Sequence, residues 1–336
     1  MASVPMSTAL LAIDVGGSTS RAFLVDETGR CLGTGRNRGG NPASNTPDLA
    51  ASAIISAVEA AVADAGSGPF DIVVAQIALA GPQAHVALGR LDDAFRRLGL
   101  TGSIVFAGDV QAMFASVTPA MDGYCLIAGT GAGAVRIHYG EVERVVDLAG
   151  WLLGDLGSGY WLGHEAAKAA VAHMEGRGEP TTLTKALLEA LNVRDADGEM
   201  QGRPMPLRLF IDGIYALRPI ELARFAPIVI EHRGDAVANA LITRAENFLV
   251  GDFAIVFDPS VPGPVVLGGG VMPYLPSISP GISAIIRAAG QVPDIQFAAD
   301  GSVGAVVLAM RTIGATIDAA TFATIAASIK EKTART

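Results

Sequence analysis

The chain has 336 residues and a formal net charge of −9, which argues against nucleic acid or an anionic membrane as a partner. Half of the residues are hydrophobic and 17% are charged, enough for two domains with separate cores, yet no window offers the roughly 18 uninterrupted apolar residues of a membrane span. Cys31 and Cys125 lie in apolar stretches and read as buried free thiols, and the first residues lack the basic region of a signal peptide, so a soluble cytoplasmic protein is expected, starting natively at Met1 or Met6.

The first element, LLAIDVGGSTSR at residues 10–21, is an apolar strand that stops at Asp14 and turns on Gly16 and Gly17 into Ser18, Thr19 and Ser20. Glycines let consecutive N–H groups converge on an anion and hydroxyls can bond the same oxygens, so the turn reads as a phosphate cradle, or else as a plain tight hairpin. Asp14 is placed to act on Mg²⁺ or on a water bound to it, the usual companion of nucleotide phosphates. TSRAFLVDETGRCLGTG adds two strands joined by a turn over residues 26–29, completing an antiparallel meander. In the polar loop that follows, Asn41 offers an amide for a sugar hydroxyl, or ordinary turn chemistry before Pro42. A helix is expected over about 48–64; IVVAQIALAG, LDDAFRRLG and SIVFAG then read as strand, helix and strand, in a sheet with a parallel portion covered on both faces. Asp109 follows the last of these strands and precedes a helix. It is either an N-cap or, at a strand's carboxyl end, a group able to accept the proton of an attacking hydroxyl.

LIAGTGAGAVR, residues 126–136, repeats the pattern of the first turn: aligning Arg21 with Arg136 sets Gly16 opposite Gly131. This weak internal repeat suggests two related halves that present their loops to a common cleft and hold a polyphosphate from both sides. Strands around 124–128, 134–139 and 141–148 lead to AGWLLGDLGSGYWLG, a loop whose Trp151 and Trp161 would face a sugar ring and whose Asp155 would take its hydroxyls. His164-Glu165 lacks the second histidine of a zinc helix, since Lys168 stands there. Helices fill most of 183–249, and VVLGGGVMP gives a third glycine turn at residues 268–270, suited to adenine and its ribose or to a simple strand-to-helix turn. ADGSVGAVVLAMRTIG supplies a small-residue helix for tight packing, and a last helix frays into a basic tail.

In this order DVGGSTSR, GNP, FAGD, IAGTGAG, GWLLGDLGSGYWLG, LGGGV and DGSVGA resemble the sugar-kinase branch of the actin, Hsp70 and hexokinase superfamily. Within that branch the chain is most similar to the BadF/BadG/BcrA/BcrD-type ATPase family, which includes N-acetylglucosamine kinases and bacterial glucosamine kinases. The resemblance implies an α/β fold of two ribonuclease-H-like (actin/hexokinase-type) domains, their mixed sheets flanked by helices, with ATP as co-substrate and Mg²⁺ in the interdomain cleft. One domain would comprise residues 1–118 plus about 316–336, the other 119–315 with a helical insertion at about 180–250. By the same resemblance Asp14 with Gly16, Gly17, Ser18 and Thr19 forms the first phosphate motif, Gly129, Thr130 and Gly131 the second, and Gly268, Gly269 and Gly270 the adenosine motif. Asp109 becomes the catalytic base, and Asn41, Asp109, Gly131 and Asp155 fall on sugar-binding positions.

One departure bears on the substrate. Mammalian N-acetylglucosamine kinases have an asparagine shortly after the GTG of the second motif, whereas this chain reads GTGAGAV. An acidic pocket without that amide points to the protonated amine of glucosamine, phosphorylated on its 6-hydroxyl, with N-acetylglucosamine as the alternative acceptor. An activator ATPase of a radical enzyme is a remoter alternative, since two dispersed cysteines suit an iron–sulfur cluster only between subunits. A sugar-responsive repressor would need a DNA-reading helix-turn-helix ahead of residue 10, and an Hsp70-like chaperone a substrate domain. The expected partners are the amino sugar and ATP, with a homodimer left open.

Overall fold

A computed structural model describes residues 7–17, 19–42, 45–66, 69–81, 86–193 and 198–334. The apolar run ending at Asp14 forms β1 (Ser7–Val15), and β2 (Thr19–Val25) and β3 (Cys31–Arg38) continue it as an antiparallel meander. Thr46 accepts the Leu49 N–H and Pro47 fills the first turn, which starts α1 (Pro47–Asp64). β4 (Phe70–Leu79), α2 (Leu88–Arg97) and β5 (Leu100–Gly108) follow, and both strands run parallel to β1. The first sheet therefore has the order β3-β2-β1-β4-β5.

After α3 (Asp109–Ala115) the chain builds β6 (Gly123–Ala128), β7 (Ala132–His138) and β8 (Glu141–Asp147). Then come α4 (Gly159–Met174), α5 (Leu183–Ala190), a two-residue pair β9 (Glu199–Met200) and β10 (Arg203–Pro204), and α6 (Met205–Tyr215). The short α7 (Ala226–Glu231), the long α8 (Ala236–Val256), β11 (Val265–Gly268) and α9 (Ile278–Ala288) complete the helical region. β12 (Ile295–Ala298), α10 (Ser302–Thr312) and α11 (Ala319–Thr333) end the chain. The second sheet has the order β12-β11-β6-β7-β8. Taken strand by strand, this is the plan of the first sheet, with β6, β7 and β8 in the places of β1, β2 and β3. The internal repeat read from two glycine turns thus extends to whole sheets, and the expected fold class of two mixed sheets flanked by helices holds.

Two compact units result: Met1–Cys125 with Ile137–Val142 and Gln296–Thr336, and Leu126–Arg136 with Glu143–Ile295. Residues 296–315, expected with the second domain, fall in the first unit because β1 is apolar on both faces. Leu11, Ile13 and Val15 meet α1 and α2, whereas Leu10 and Ala12 pack against α10 and α11 through Ala305, Val306, Ala309 and Ile325. The period of two along a strand sends alternate residues to opposite faces, so the sheet needs a helical layer on each. Cys31 and Cys125 are buried free thiols, and burial pushes the Cys31 thiol up to about 11. No described helix is long and apolar enough to cross a membrane.

Candidate functional site

In the first unit, Asp14 lies directly across the β1–β2 ladder from Arg21, so both side chains stand on one face of the sheet. Arg21 Nη1 donates to Asp14 Oδ2 at 3.2 Å, and its Nη2 lies 3.7 Å from Asp300 Oδ2. Burial pushes the Asp14 carboxyl up to about 6 against the pull of Arg21, with Asp300 and Asp109 adding to the rise. Asp109 reaches this neighbourhood through the parallel strands: Val15 pairs with Leu79 and Leu79 with Gly108, so Asp109 follows the same carboxyl edge two strands from Asp14. Two strand spacings amount to about 10 Å. Gly108 occupies the cap position of α3 and Asp109 is the first helical residue, its Oδ1 accepting the Val110 N–H at 3.0 Å. Asp109 therefore does not serve as the N-cap. Burial pushes its carboxyl up to about 6, which outweighs the backbone N–H groups that favour the charged form.

The Gly16 N–H donates to the Thr19 carbonyl at 2.9 Å, closing the first turn; Ser18 lies outside the described residues. Asn41 sits beyond β3, its carbonyl accepting the Asn45 side-chain amide at 3.1 Å. Among the described residues no group of three or more His, Cys, Asp or Glu side chains could hold a metal ion. A Mg²⁺ carried on phosphates keeps most of its waters and asks the protein for one or two carboxylates. Asp14 and Asp300, which share Arg21, fit that requirement.

In the second unit the two other glycine turns meet. The Gly129 N–H donates to the Gly131 carbonyl at 2.9 Å, and the Val271 N–H reaches the Ala128 carbonyl at 2.8 Å, tying the 268–270 turn to the 129–131 turn. Gly269 has φ +97°, and a Cβ there would run into the Ala128 carbonyl. The reason for glycine differs along these turns. Gly16, Gly129, Gly131 and Gly270 avoid the left-handed region that Gly269 occupies, while Gly131 is glycine for closeness: a Cβ on it would lie 2.8 Å from Asp155 Oδ1.

Asp155 is buried at φ +58°, and its Oδ1 accepts the Ala132 N–H at 3.2 Å. Burial raises its pKa, the Ala132 bond opposes the rise and Asp147 adds to it. Asp147 is the loop's organiser: at φ +61° it accepts the Asp155 N–H at 2.6 Å and the Leu156 N–H at 2.8 Å. Charged acceptors of this kind contribute on the order of 2 kcal/mol per bond. Asp147→Ala is accordingly expected to lower the unfolding free energy by about 2–3 kcal/mol, measured by urea denaturation; a change below about 0.5 kcal/mol would mean that the loop holds itself. The helix after the loop is anchored to the turn as well, since the Gly159 N–H donates to the Gly129 carbonyl at 2.8 Å.

Two indoles expected to line one pocket part company. Trp161 is buried against Phe248, with the Arg244 guanidinium 4.9 Å above its ring, whereas Trp151 is 38% exposed and touches Tyr160 edge-on. One turn of helix explains it: Ser158 caps α4 by accepting the Trp161 N–H, which turns Trp161 inward. Arg136, matched to Arg21 in the repeat, pairs instead with Glu143 and Asp258. Asp300 and Asp147 escaped the sequence reading. The signal for Asp300 was present, an Asp-Gly-Ser ahead of a helix, and its Oδ1 does accept the Ser302 N–H at 2.9 Å.

The model of the BadF/BadG/BcrA/BcrD ATPase family matches residues 11–252. A curated protein from Clostridium acetobutylicum, an N-acetylmuramic acid/N-acetylglucosamine kinase, is 34% identical over 108 residues, covering 31% of this chain. That match spans 34% of the relative's length. Among solved structures, a candidate N-acetylglucosamine kinase from Chromobacterium violaceum superposes with a TM-score of 0.70 at 22% identity, over 90% of this chain and 99% of the other. A second, from Porphyromonas gingivalis, gives 0.63 at 22% identity, over 91% and 100%. At these identities the likeness carries the fold, which is the actin/hexokinase type that the resemblance implied.

Proposed function

The chain belongs to the BadF/BadG/BcrA/BcrD ATPase family, and we propose that it is an ATP-dependent kinase whose acceptor is an N-acetylated amino sugar. The observation that carries this reading is the joining of the 129–131 and 268–270 glycine turns in one unit, with the Asp155 carboxylate against Gly131. Backbone N–H groups crowded at such turns suit phosphate oxygens, and a close-approaching glycine suits a flat base. In the proposed reaction the sugar's 6-hydroxyl oxygen attacks the γ-phosphorus, the bond to the β-phosphate oxygen breaks, and Asp109 takes the hydroxyl proton. Asp109 is suited to this because a base with a pKa near 6 is ionised at neutral pH and still basic enough to share a proton. Asn41 and Asp155 orient the sugar hydroxyls, while the 16–19 and 129–131 turns hold phosphates. Mg²⁺, when bound beside Asp14 and Asp300, supplies charge neutralisation to the phosphates.

Free glucosamine, the acceptor favoured by the sequence, takes second place. Its case rested on two carboxylates attracting an ammonium group and on the absence of a side-chain amide after the GTG of the second motif, yet Asp155 commits one oxygen to the Ala132 N–H. The relative from Clostridium acetobutylicum acts on N-acetylated sugars by its name, and the two structural neighbours are described in the same terms. Comparison of kcat/KM for N-acetylglucosamine, N-acetylmuramic acid, glucosamine and glucose in a coupled assay tests the assignment. At least a roughly tenfold preference for an N-acetylated sugar is expected, the worth of one well-partnered buried polar group. A preference for glucosamine restores the earlier reading, and no turnover with any of the four ends the sugar-kinase proposal.

A further inference from the structure

The second unit holds a cavity of about 630 Å³ between α4, α6 and the segment 217–222, and nothing in the proposed phosphoryl transfer uses it. Its wall is apolar, built from Val171 of α4, Phe210, Ile211 and Ile214 of α6, and Leu222. Trp151 and Tyr160 close one side, with the Tyr160 ring stacked on His164 at 5.6 Å. A space of this size matches the range of small-molecule pockets, about 300–1,000 Å³, and is far larger than a void left by imperfect packing.

Its charge is one-sided. Lys168, Arg177 and His164 line the cavity and no carboxylate does, in a protein whose net charge is −9. The acids that pair with these cations stand outside the lining: Lys168 Nζ meets Glu165 Oε1 at 2.6 Å, and Arg177 bonds Glu175. Glu165 is itself divided between Lys168 and Arg244 (3.3 Å), so one carboxylate answers two cations there. Burial, then Lys168, lowers the His164 pKa, which leaves the positive charge at the rim with Lys168 and Arg177. Both side chains are more than half exposed and can turn toward a ligand at little cost.

We propose that this cavity binds a small amphipathic anion, a carboxylate with a medium-length alkyl or an aryl body, whose apolar part lies against α6 and whose carboxylate meets Lys168 and Arg177. The cavity lies beside the second phosphate turn, to which the Tyr160 N–H is tied through the Thr130 carbonyl, and the proposal does not depend on the sugar and nucleotide assignments. Decanoate is the probe, titrated by calorimetry into the intact protein, with decyltrimethylammonium as the same chain bearing the opposite charge. Saturable binding of one decanoate per chain is expected, at least about fivefold tighter than the cationic analogue, the discrimination of a partly exposed charge pair. Ile211→Trp should weaken binding at least about tenfold by filling the space. Where that variant melts below the wild type, the double variant Lys168→Gln/Arg177→Gln, whose changes lie on exposed side chains, decides the matter: it should bind decanoate and decyltrimethylammonium alike. No saturable binding, equal binding of both amphiphiles by the wild type, or binding untouched in the double variant overturns the proposal. ATP should leave decanoate affinity within about twofold; competitive displacement by ATP would mean that decanoate sits in the nucleotide turns and would overturn it too.

Discussion

Asp109→Asn is expected to lower turnover by roughly 10²- to 10⁴-fold while the protein stays folded and the KM for the sugar moves little. That range is the usual worth of a positioned base, and asparagine keeps the shape and the bond from the Val110 N–H while giving up the ability to accept a proton. In the wild type, kcat/KM should fall as pH drops through about 6, where Asp109 and, with it, Asp14 become protonated. Stability runs the other way. A carboxyl raised from its ordinary 3.8 to about 6 binds protons in the folded state that the unfolded chain releases, so its contribution is fullest below about pH 4 and is lost as pH rises through about 6. The asparagine variant lacks that loss, and its Tm relative to wild type should rise between about pH 4.5 and pH 7.5. Near-normal turnover in the variant, with chemistry rate-limiting, would reduce Asp109 to a helix-starting residue.

Gly131→Val is expected to have the second large effect, a loss of at least roughly a hundredfold in kcat/KM for the sugar together with ATP affinity. A Cβ at this position lies 2.8 Å from Asp155 Oδ1 and 3.2 Å from its Cγ, and valine adds two branches to it. Asp155 cannot withdraw cheaply, because its own N–H is held by Asp147 and its Oδ1 by Ala132. Gly16→Ala provides the contrast: the added Cβ would stand 3.5 Å from the Thr19 carbonyl, an ordinary contact. Loss of ATP binding in a Gly16→Ala protein of unchanged Tm would thus come from the ligand's side, since the protein has room. Calorimetric ATP binding decides both, and unchanged affinity in a folded Gly131→Val protein would detach the second turn from the nucleotide.

Much of this was legible in the sequence because the signals are local. An apolar run broken by Asp14 announces β1, alanine and isoleucine at helical spacing announce α1, and Gly-Asp after SIVFA puts a carboxylate at a strand end. What stayed hidden depends on residues far apart in the chain. Asp300 joins Arg21 across some 280 residues, and its stretch reads on its own as a small-residue helix. The role of Asp147 rests on a left-handed backbone at two successive residues, which the following Leu148, at φ +54°, does not suggest by type. The cavity needs α4 and α6 side by side, while the sequence between them offers only generic helices. The two indoles looked alike in composition and differ because Ser158 fixes the phase of one helix.

The split core of the first unit has a consequence for synthesis. Leu10 and Ala12 are made long before the helix that covers them, α10, which follows them by roughly 290 residues, about 15–60 s at ordinary elongation rates. Throughout that interval α3, through Ala112 and Ala115, covers only part of that face of the first sheet, and the rest is apolar surface that would be open to chaperones and to neighbouring nascent chains. The second unit, whose helical body is a continuous insert at 143–295, can complete its own packing in the meantime. Substitutions that roughen α10 at Ala305 or Ala309 should therefore cost soluble yield during expression more than they cost the Tm of the purified protein, because the penalty falls on a partly made chain.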